Sequence, residues 1–94
     1  MISKSFITRQ LKEIIEKLDW ETADGRGQAV TIAHQIRADL DRILSSQSSG
    51  IDMEQVLKLR ARLAKATDEL DRGLVATALS EYQAALAEWS GPPK

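Results

Sequence analysis

Few side chains in this sequence could do chemistry, and those that could stand mostly alone. His34, in the segment IAHQI, is the single imidazole. As a metal ligand or general base it would need carboxylate, thiol or imidazole partners at helical spacing, such as Glu-x-x-His. No such partner precedes it. The nearest acid on its own segment, Asp39, falls on a different face, so His34 reads as an exposed polar residue. Cysteine is absent, which removes thiolate nucleophiles, thiolate metal sites and disulfides. There is no Gly-x-Ser-x-Gly elbow, Walker-A loop or GxGxxG segment. The GRG of Gly25–Gly27 is too short for either phosphate-binding pattern. Asp39 and Asp41 point to different sides of a helix. Asp68, Glu69 and Asp71 cluster beside Arg72 and read as a solvated face, with a docking patch for a basic partner as the functional alternative. The expectation is a protein that is not an enzyme, with no catalytic residue, no cofactor, no metal and no evident small-molecule substrate.

Three further groups are candidates for binding. Lys58, Arg62 and Lys65 share one side of a helix at i, i+4 and i+7, with Arg60 close by. Asp68, Glu69 and Asp71 follow at once, which weakens a nucleic-acid stripe. The stretch DWETADGRGQ, Asp19 to Gln28, sets an indole beside three carboxylates and an arginine between two glycines. An anion held by Arg26 at a helix N-terminus would be opposed by Asp19, Glu21 and Asp24. A helix junction, with Asp24 as cap and Trp20 covering the end of the core near Leu18, Val30 or Leu74, accounts for it better. The third group is Val75, Leu79, Tyr82, Leu86 and Trp89, a helical stripe with two aromatic anchors that serves either as core or as a partner interface.

The elements that must position these residues are all helical. Ninety-four residues make one domain. Both prolines sit near the C-terminus, which leaves the interior free to be helical. Charged residues at 29% and apolar residues at 43% are too apolar for a disordered chain. No run approaches the roughly 18 apolar residues of a spanning helix, and the N-terminus lacks a signal-peptide pattern. With no cysteine, the expectation is a cytoplasmic protein. The net charge is −1, no segment is strongly basic, and there are only two Trp, one Tyr and one Phe. The footprint and stacking platforms of a nucleic-acid binder are therefore weak.

Ile7, Leu11, Ile14, Ile15 and Leu18 form one stripe and predict a helix over about 5–19. Ala29, Ala33, Ile36, Leu40 and Ile43 step 4-3-4-3, a heptad seam over about 28–46. SSQSSG, Ser45 to Gly50, interrupts it. Asp52 then opens a helix over about 52–72, with Gln55 placed to complete a capping box and Ile51 to staple against Val56. Its seam is Val56, Leu59, Leu63, Ala66 and Leu70. The residue numbers of the two seams pair to a constant sum of 99, Ile43 with Val56 through Ala29 with Leu70. That matches an antiparallel helical hairpin, with Asp39 near Arg60 or Arg62 and Asp41 near Lys58. The leftover apolar residues Ile32, Leu44 and Leu57 lie off the seam.

Beyond Asp71-Arg72-Gly73 the stripe rotates. No good N-cap precedes Val75, and a mid-helix glycine costs only about 1 kcal/mol relative to alanine. A continuous or kinked helix to about Trp89 is therefore expected, overhanging the hairpin by about 24 Å. Ser90-Gly91-Pro92-Pro93 stops it, leaving a flexible tail over 90–94. The fold class predicted is all-α: a hairpin, an N-terminal helix and a C-terminal extension in a small bundle. The bundle is closed either by the N-terminal helix or by oligomerisation, most simply as a dimer. The function expected is a helical protein–protein interaction module: a small adaptor, chaperone-like or inhibitor subunit that binds a protein partner and self-associates. The alternative is a helical dimeric nucleic-acid-associated regulator. Neither reading involves a membrane.

Overall fold

The computed structural model describes residues 3–46 and 51–91. Among them the chain is all-α, with four helices: α1 (Lys4–Lys12), α2 (Ala23–Ser46), α3 (Met53–Asp71) and α4 (Val75–Ser90). Most of the SSQSSG segment, and residues 92–94 of the expected tail, lie outside the described residues. Ser90, assigned to that tail from the sequence, is the last residue of α4.

The first helix starts where Ser3 accepts a hydrogen bond from the Phe6 amide at 3.1 Å, satisfying one of the orphan donors of a helix N-terminus. Ile7, Leu11 and Ile14 fall on one face at i, i+4 and i+7 and are fully buried. The helix tail, Glu13–Lys17, widens into a π-helical turn. Its cause is local. Leu18 is already extended, and the Trp20 indole donates to the Ile14 carbonyl at 2.8 Å.

The second helix begins at Ala23, five residues earlier than the seam suggested. The cap is Thr22 rather than Asp24: its hydroxyl accepts from the Gly25 amide at 3.0 Å, and its carbonyl accepts from the Arg26 amide at 3.2 Å. Gly25 is therefore inside the first turn. A Cβ there would sit 1.8 Å from the Asp19 carbonyl oxygen, so only glycine permits this close approach of linker to helix.

At the start of the third helix Asp52 accepts from the Glu54 amide at 2.9 Å. The expected capping box does not form, because Gln55 turns away to Lys4 and to the end of α4. This helix stops at Gly73, which corrects the continuous or kinked reading. Gly73 has φ of 82°. Its amide donates to the Leu70 carbonyl at 3.0 Å, and the Leu74 amide donates to the Glu69 carbonyl at 2.9 Å. These are the two bonds of a Schellman motif, which satisfies the last carbonyls of a helix and turns the chain away. A straight helix from 52 to 89 would be about 57 Å long, whereas the molecule measures 39 Å along its longest axis.

After that turn, α4 runs back along α3. Thr67 meets Tyr82 at 3.1 Å, and Arg62 ties to both Glu81 and Glu88. Tyr82 and Trp89 also pack with α1 and its linker: Trp89 Nε1 donates to the Lys4 carbonyl at 3.3 Å, and the Trp20 and Tyr82 rings lie 5.7 Å apart. α2 lies against α1 and α3, while the diagonal pairs α1/α3 and α2/α4 do not pack backbone to backbone. The expected overhang is thus absent, since α4 folds back along α3, and α1 packs on it.

Candidate functional site: a groove between α3 and the end of α4

Among the described residues, a groove of about 410 Å³ lies where the first turns of α3 meet the last turns of α4. Leu59, Ala85 and Trp89 form its apolar floor, and Asp52, Glu54, Lys58 and Glu88 rim it. Its position follows from local sequence. On α4 the inward face is Ala78, Tyr82, Ala85 and Trp89, so small and large residues alternate along it. The alanines let α4 come close to α3, and the short Ala85 leaves room above Leu59.

Polar contacts hold this end together. Gln55 accepts from Lys4 Nζ at 3.2 Å and donates to the Glu88 and Gly91 carbonyls, each at 3.4 Å. It thereby satisfies carbonyls that a helix C-terminus leaves open. Lys4 Nζ also lies 5.4 Å from the centre of the Trp89 ring, within range of a cation–π interaction. The carboxylates on the rim already have partners. Asp52 caps its helix, Glu54 lies 3.4 Å from Lys58, and Glu88 pairs with Arg62.

Behind the rim is a charge network. Glu81 meets Arg62 at 2.8 Å and Lys65 at 3.1 Å. The Lys65 ammonium, followed by the Arg62 guanidinium, holds the Glu81 carboxyl below its usual range. Arg62 does the same for Glu88. The Arg62 guanidinium is in turn raised, first by Glu88 and then by Glu81. Arg60 pairs with Asp41 at 2.7 Å, where the sequence suggested Lys58, and Asp39 reaches Arg42 on its own helix at 4.0 Å. The basic stripe Lys58, Arg60, Arg62 and Lys65 is therefore matched by carboxylates along its length.

The partner stripe expected from the sequence is split by the structure. Tyr82 and Trp89 are buried in the chain's own core, at 0% and 1% exposure, so they are not free anchors. Val75, Leu79 and Leu86 are half-buried. Val75 begins α4 directly after the turn, and Leu86 packs against the core. Of the seam residues, Ala29, Ala33, Ile36, Leu40, Ile43, Val56, Leu59, Leu63 and Ala66 are buried and Leu70 is half-buried. Leu57 is 55% exposed, and Phe6 and Leu74 are exposed as well.

His34 is exposed. Among the described residues no three His, Cys, Asp or Glu side chains converge on a metal position. Arg26 donates to the Trp20 carbonyl at 2.9 Å, which makes it a brace of the junction rather than an anion ligand. The groove itself was missed in the sequence because the room on its floor comes from one alanine, Ala85, which carries little hydrophobic signal. The complementary spacing of Arg62 and Lys65 with Glu81 and Glu88 was a readable clue that α4 folds back.

No family model matches this chain, and neither the curated proteins nor the solved structures contain a significant match. Function must therefore be argued from the surface itself. Among the described residues, no helix is long and apolar enough to cross a membrane.

Proposed function

We propose that this protein is a non-enzymatic helical interaction module, a small adaptor, chaperone-like or inhibitor subunit of the cytoplasm that binds a protein partner and self-associates. The observation that carries the reading is the α3–α4 groove, with an apolar floor of Leu59, Ala85 and Trp89 and a charged rim. Concavities with an apolar base and a few polar groups at the edge suit insertion of a partner's apolar side chain. The scaffold under it is the antiparallel α2–α3 hairpin in its constant-sum register, with the Arg60–Asp41 pair across the two helices in support. Exposed Leu57 and Phe6 add apolar surface on other faces. The protein reading is favoured over nucleic acid because Lys58, Arg60, Arg62 and Lys65 are each paired with a carboxylate. A phosphate backbone would have to displace those pairs.

The test is capture from extracts of the native host, with wild type compared against Ala87→Arg. Ala87 is exposed on the groove's edge, so the variant keeps the core intact and crowds the groove. A partner retained by wild type, lost with Ala87→Arg, and bound again as purified protein supports the reading. Equal capture by both proteins counts against the groove. A salt-sensitive shift with a short duplex would favour the nucleic-acid regulator instead.

A further inference from the structure

The mouth of the α3–α4 groove carries a charge pattern that its apolar floor does not require. Carboxylates stand on both banks: Asp52 and Glu54 where α3 starts, and Glu88 in the last turn of α4. Among the described residues that line it, Lys58 is the only base. Three carboxylates therefore face one ammonium. The backbone acts in the same direction. The carbonyl end of a helix attracts cations, yet α4 has no basic residue in its last turn. Lys4 of α1 is engaged with Gln55 at 3.2 Å and with the Trp89 ring at 5.4 Å, and it does not line the groove.

These carboxylates keep capacity for a cation from outside. Asp52 accepts from the Glu54 amide at 2.9 Å through one oxygen, and a carboxylate has about four lone-pair sites. Glu54 lies 3.4 Å from Lys58, but the two side chains are 74% and 64% exposed. An ion pair so exposed is weak, so a second cation can share Glu54 or replace Lys58 there. Glu88 pairs with Arg62, and its side chain remains 48% exposed. Its carboxyl is held below the usual range first by Arg62, with Lys58 acting in the same direction. Lys58 thus acts on both banks, as the chain's own cation at the mouth.

We propose that the groove takes a basic segment of a partner protein, with one apolar side chain seated over Leu59 and Ala85 and flanking lysines or arginines meeting Asp52 and Glu54 on one bank and Glu88 on the other. This names the chemistry of the partner in the proposed function and rests on that reading. At about 410 Å³ the groove is at the small end of binding sites. That suits one apolar side chain with the methylene stems of its basic neighbours, which pack on apolar surface while their charged heads stay in water. Complementary charge fixes orientation and speeds encounter. The same carboxylates repel acidic segments, which makes the mouth a filter as well as an attractor.

The experiment selects a display library of random short peptides on the immobilised full chain, with Ala87→Gln as counter-selection. Ala87 is exposed at the groove's edge, and glutamine crowds it without changing charge. The expected result is enrichment of peptides that carry an apolar residue between Lys or Arg and few Asp or Glu. Peptides that prefer wild type but show no basic excess overturn the proposal and leave the groove standing as a partner site. A library that does not distinguish wild type from Ala87→Gln overturns both.

A second readout fixes the sign of the electrostatics. An enriched peptide, synthesised with a fluorescent label, is titrated by anisotropy against surface variants whose folding is checked by circular dichroism. Glu54→Gln and Glu88→Gln should each weaken binding about two- to fivefold. Lys58→Met keeps the apolar stem and removes the ammonium, so it should tighten binding by a similar factor. Unchanged or weaker binding by Lys58→Met overturns the charge argument, because a groove that reads only apolar shape gains nothing from that change.

Discussion

Replacing Gly73 by alanine separates two accounts of the C-terminal half by the sign of the effect. In the structure Gly73 has φ of 82°, and a Cβ built on it meets nothing within 4 Å. The change therefore adds no clash, and its whole cost is conformational. Holding an L-residue with a Cβ in the left-handed region costs about 1–2 kcal/mol. For a domain of this size each kcal/mol moves Tm by about 4–8 °C. Gly73→Ala is thus expected to lower Tm by about 4–16 °C. Were α3 and α4 one long helix, position 73 would be a helix interior. The same change would then stabilise by about 1 kcal/mol and raise Tm. Thermal unfolding followed by far-ultraviolet circular dichroism, at fixed protein concentration, measures the sign. A rise in Tm would falsify the reversal at Gly73 and the pairing of α3 with α4 that depends on it. Gly73→Asn sharpens the test, since asparagine tolerates left-handed φ better than alanine; it should lie between glycine and alanine.

The remaining predictions use the same measurement unless stated. Gly27→Ala, inside α2 with nothing within 4 Å of its Cβ, should raise stability by about 0.5–1 kcal/mol; a loss would mean that position 27 is not helical. Tyr82→Phe removes one partner of the buried 3.1 Å bond to Thr67 and should cost about 1 kcal/mol near neutral pH. Burial pushes the Tyr82 hydroxyl above its ordinary 10.0, with Asp71 acting in the same direction and the Thr67 bond opposing. Its stability contribution is therefore complete below that value and lost as pH rises through the raised one. The alkaline decline should be shallower in Tyr82→Phe, and an unchanged decline would count against a buried phenol. Glu81 and Glu88 are depressed, so their contribution is present above the usual carboxylate pKa of 4.5 and lost as pH falls below it. Glu81→Gln should cost at most about 1 kcal/mol at neutral pH because its partners Arg62 and Lys65 reach solvent, which screens the pair although Glu81 itself is half-buried. In urea titrations the gap from wild type should close at low pH, and a gap that persists there would assign the loss to packing instead of charge.

How much of this was legible in the sequence depended on side-chain size. The residues of α2 and α3 that turn inward are mostly large aliphatics at heptad spacing, and nine of the ten seam positions are buried. α4 was harder. The stripe Val75, Leu79, Tyr82, Leu86, Trp89 and the observed inward face Ala78, Tyr82, Ala85, Trp89 share both aromatics; the face has Ala78 and Ala85 where the stripe has Leu79 and Leu86, and it omits Val75. Hydrophobicity favours the leucines, but geometry favours the alanines, because a backbone can approach α3 only where side chains are short. The turn at Gly73 was masked for a related reason. The energetic cost of a glycine in mid-helix is about 1 kcal/mol, too little to decide against continuity, and α4 starts without a side-chain cap. The sequence placed a junction over Asp19 to Gln28, whereas the chain bends at 18–22 and residues 23–28 already belong to α2. The actual constraint on the bend, Gly25 against the Asp19 backbone, is a contact across six residues that no periodicity encodes.

The alanines also explain why the candidate site sits where it does. An α4 with leucine at position 85 would fill the space above Leu59 and carry its apolar mass inward, leaving no groove. With alanine there, the helix gains closeness to α3, and its last turns need other ties. Those ties are polar: Gln55 to the Glu88 and Gly91 carbonyls, Trp89 to the Lys4 carbonyl, and Arg62 to the α4 carboxylates. Hydrogen bonds and solvent-facing ion pairs of this kind contribute about 1 kcal/mol or less each, so at this end of the bundle several weak polar links supplement the packing of Val56, Leu59, Ala85 and Trp89. Lys4 and Trp89 belong to that set, and Lys4 begins α1. Loosening α1 therefore removes the indole's acceptor and the cation above its ring together. The groove and α1 are in this way coupled through Trp89: a displacement of α1 would also relax the groove floor, and a ligand that fits the closed floor would hold α1 in place.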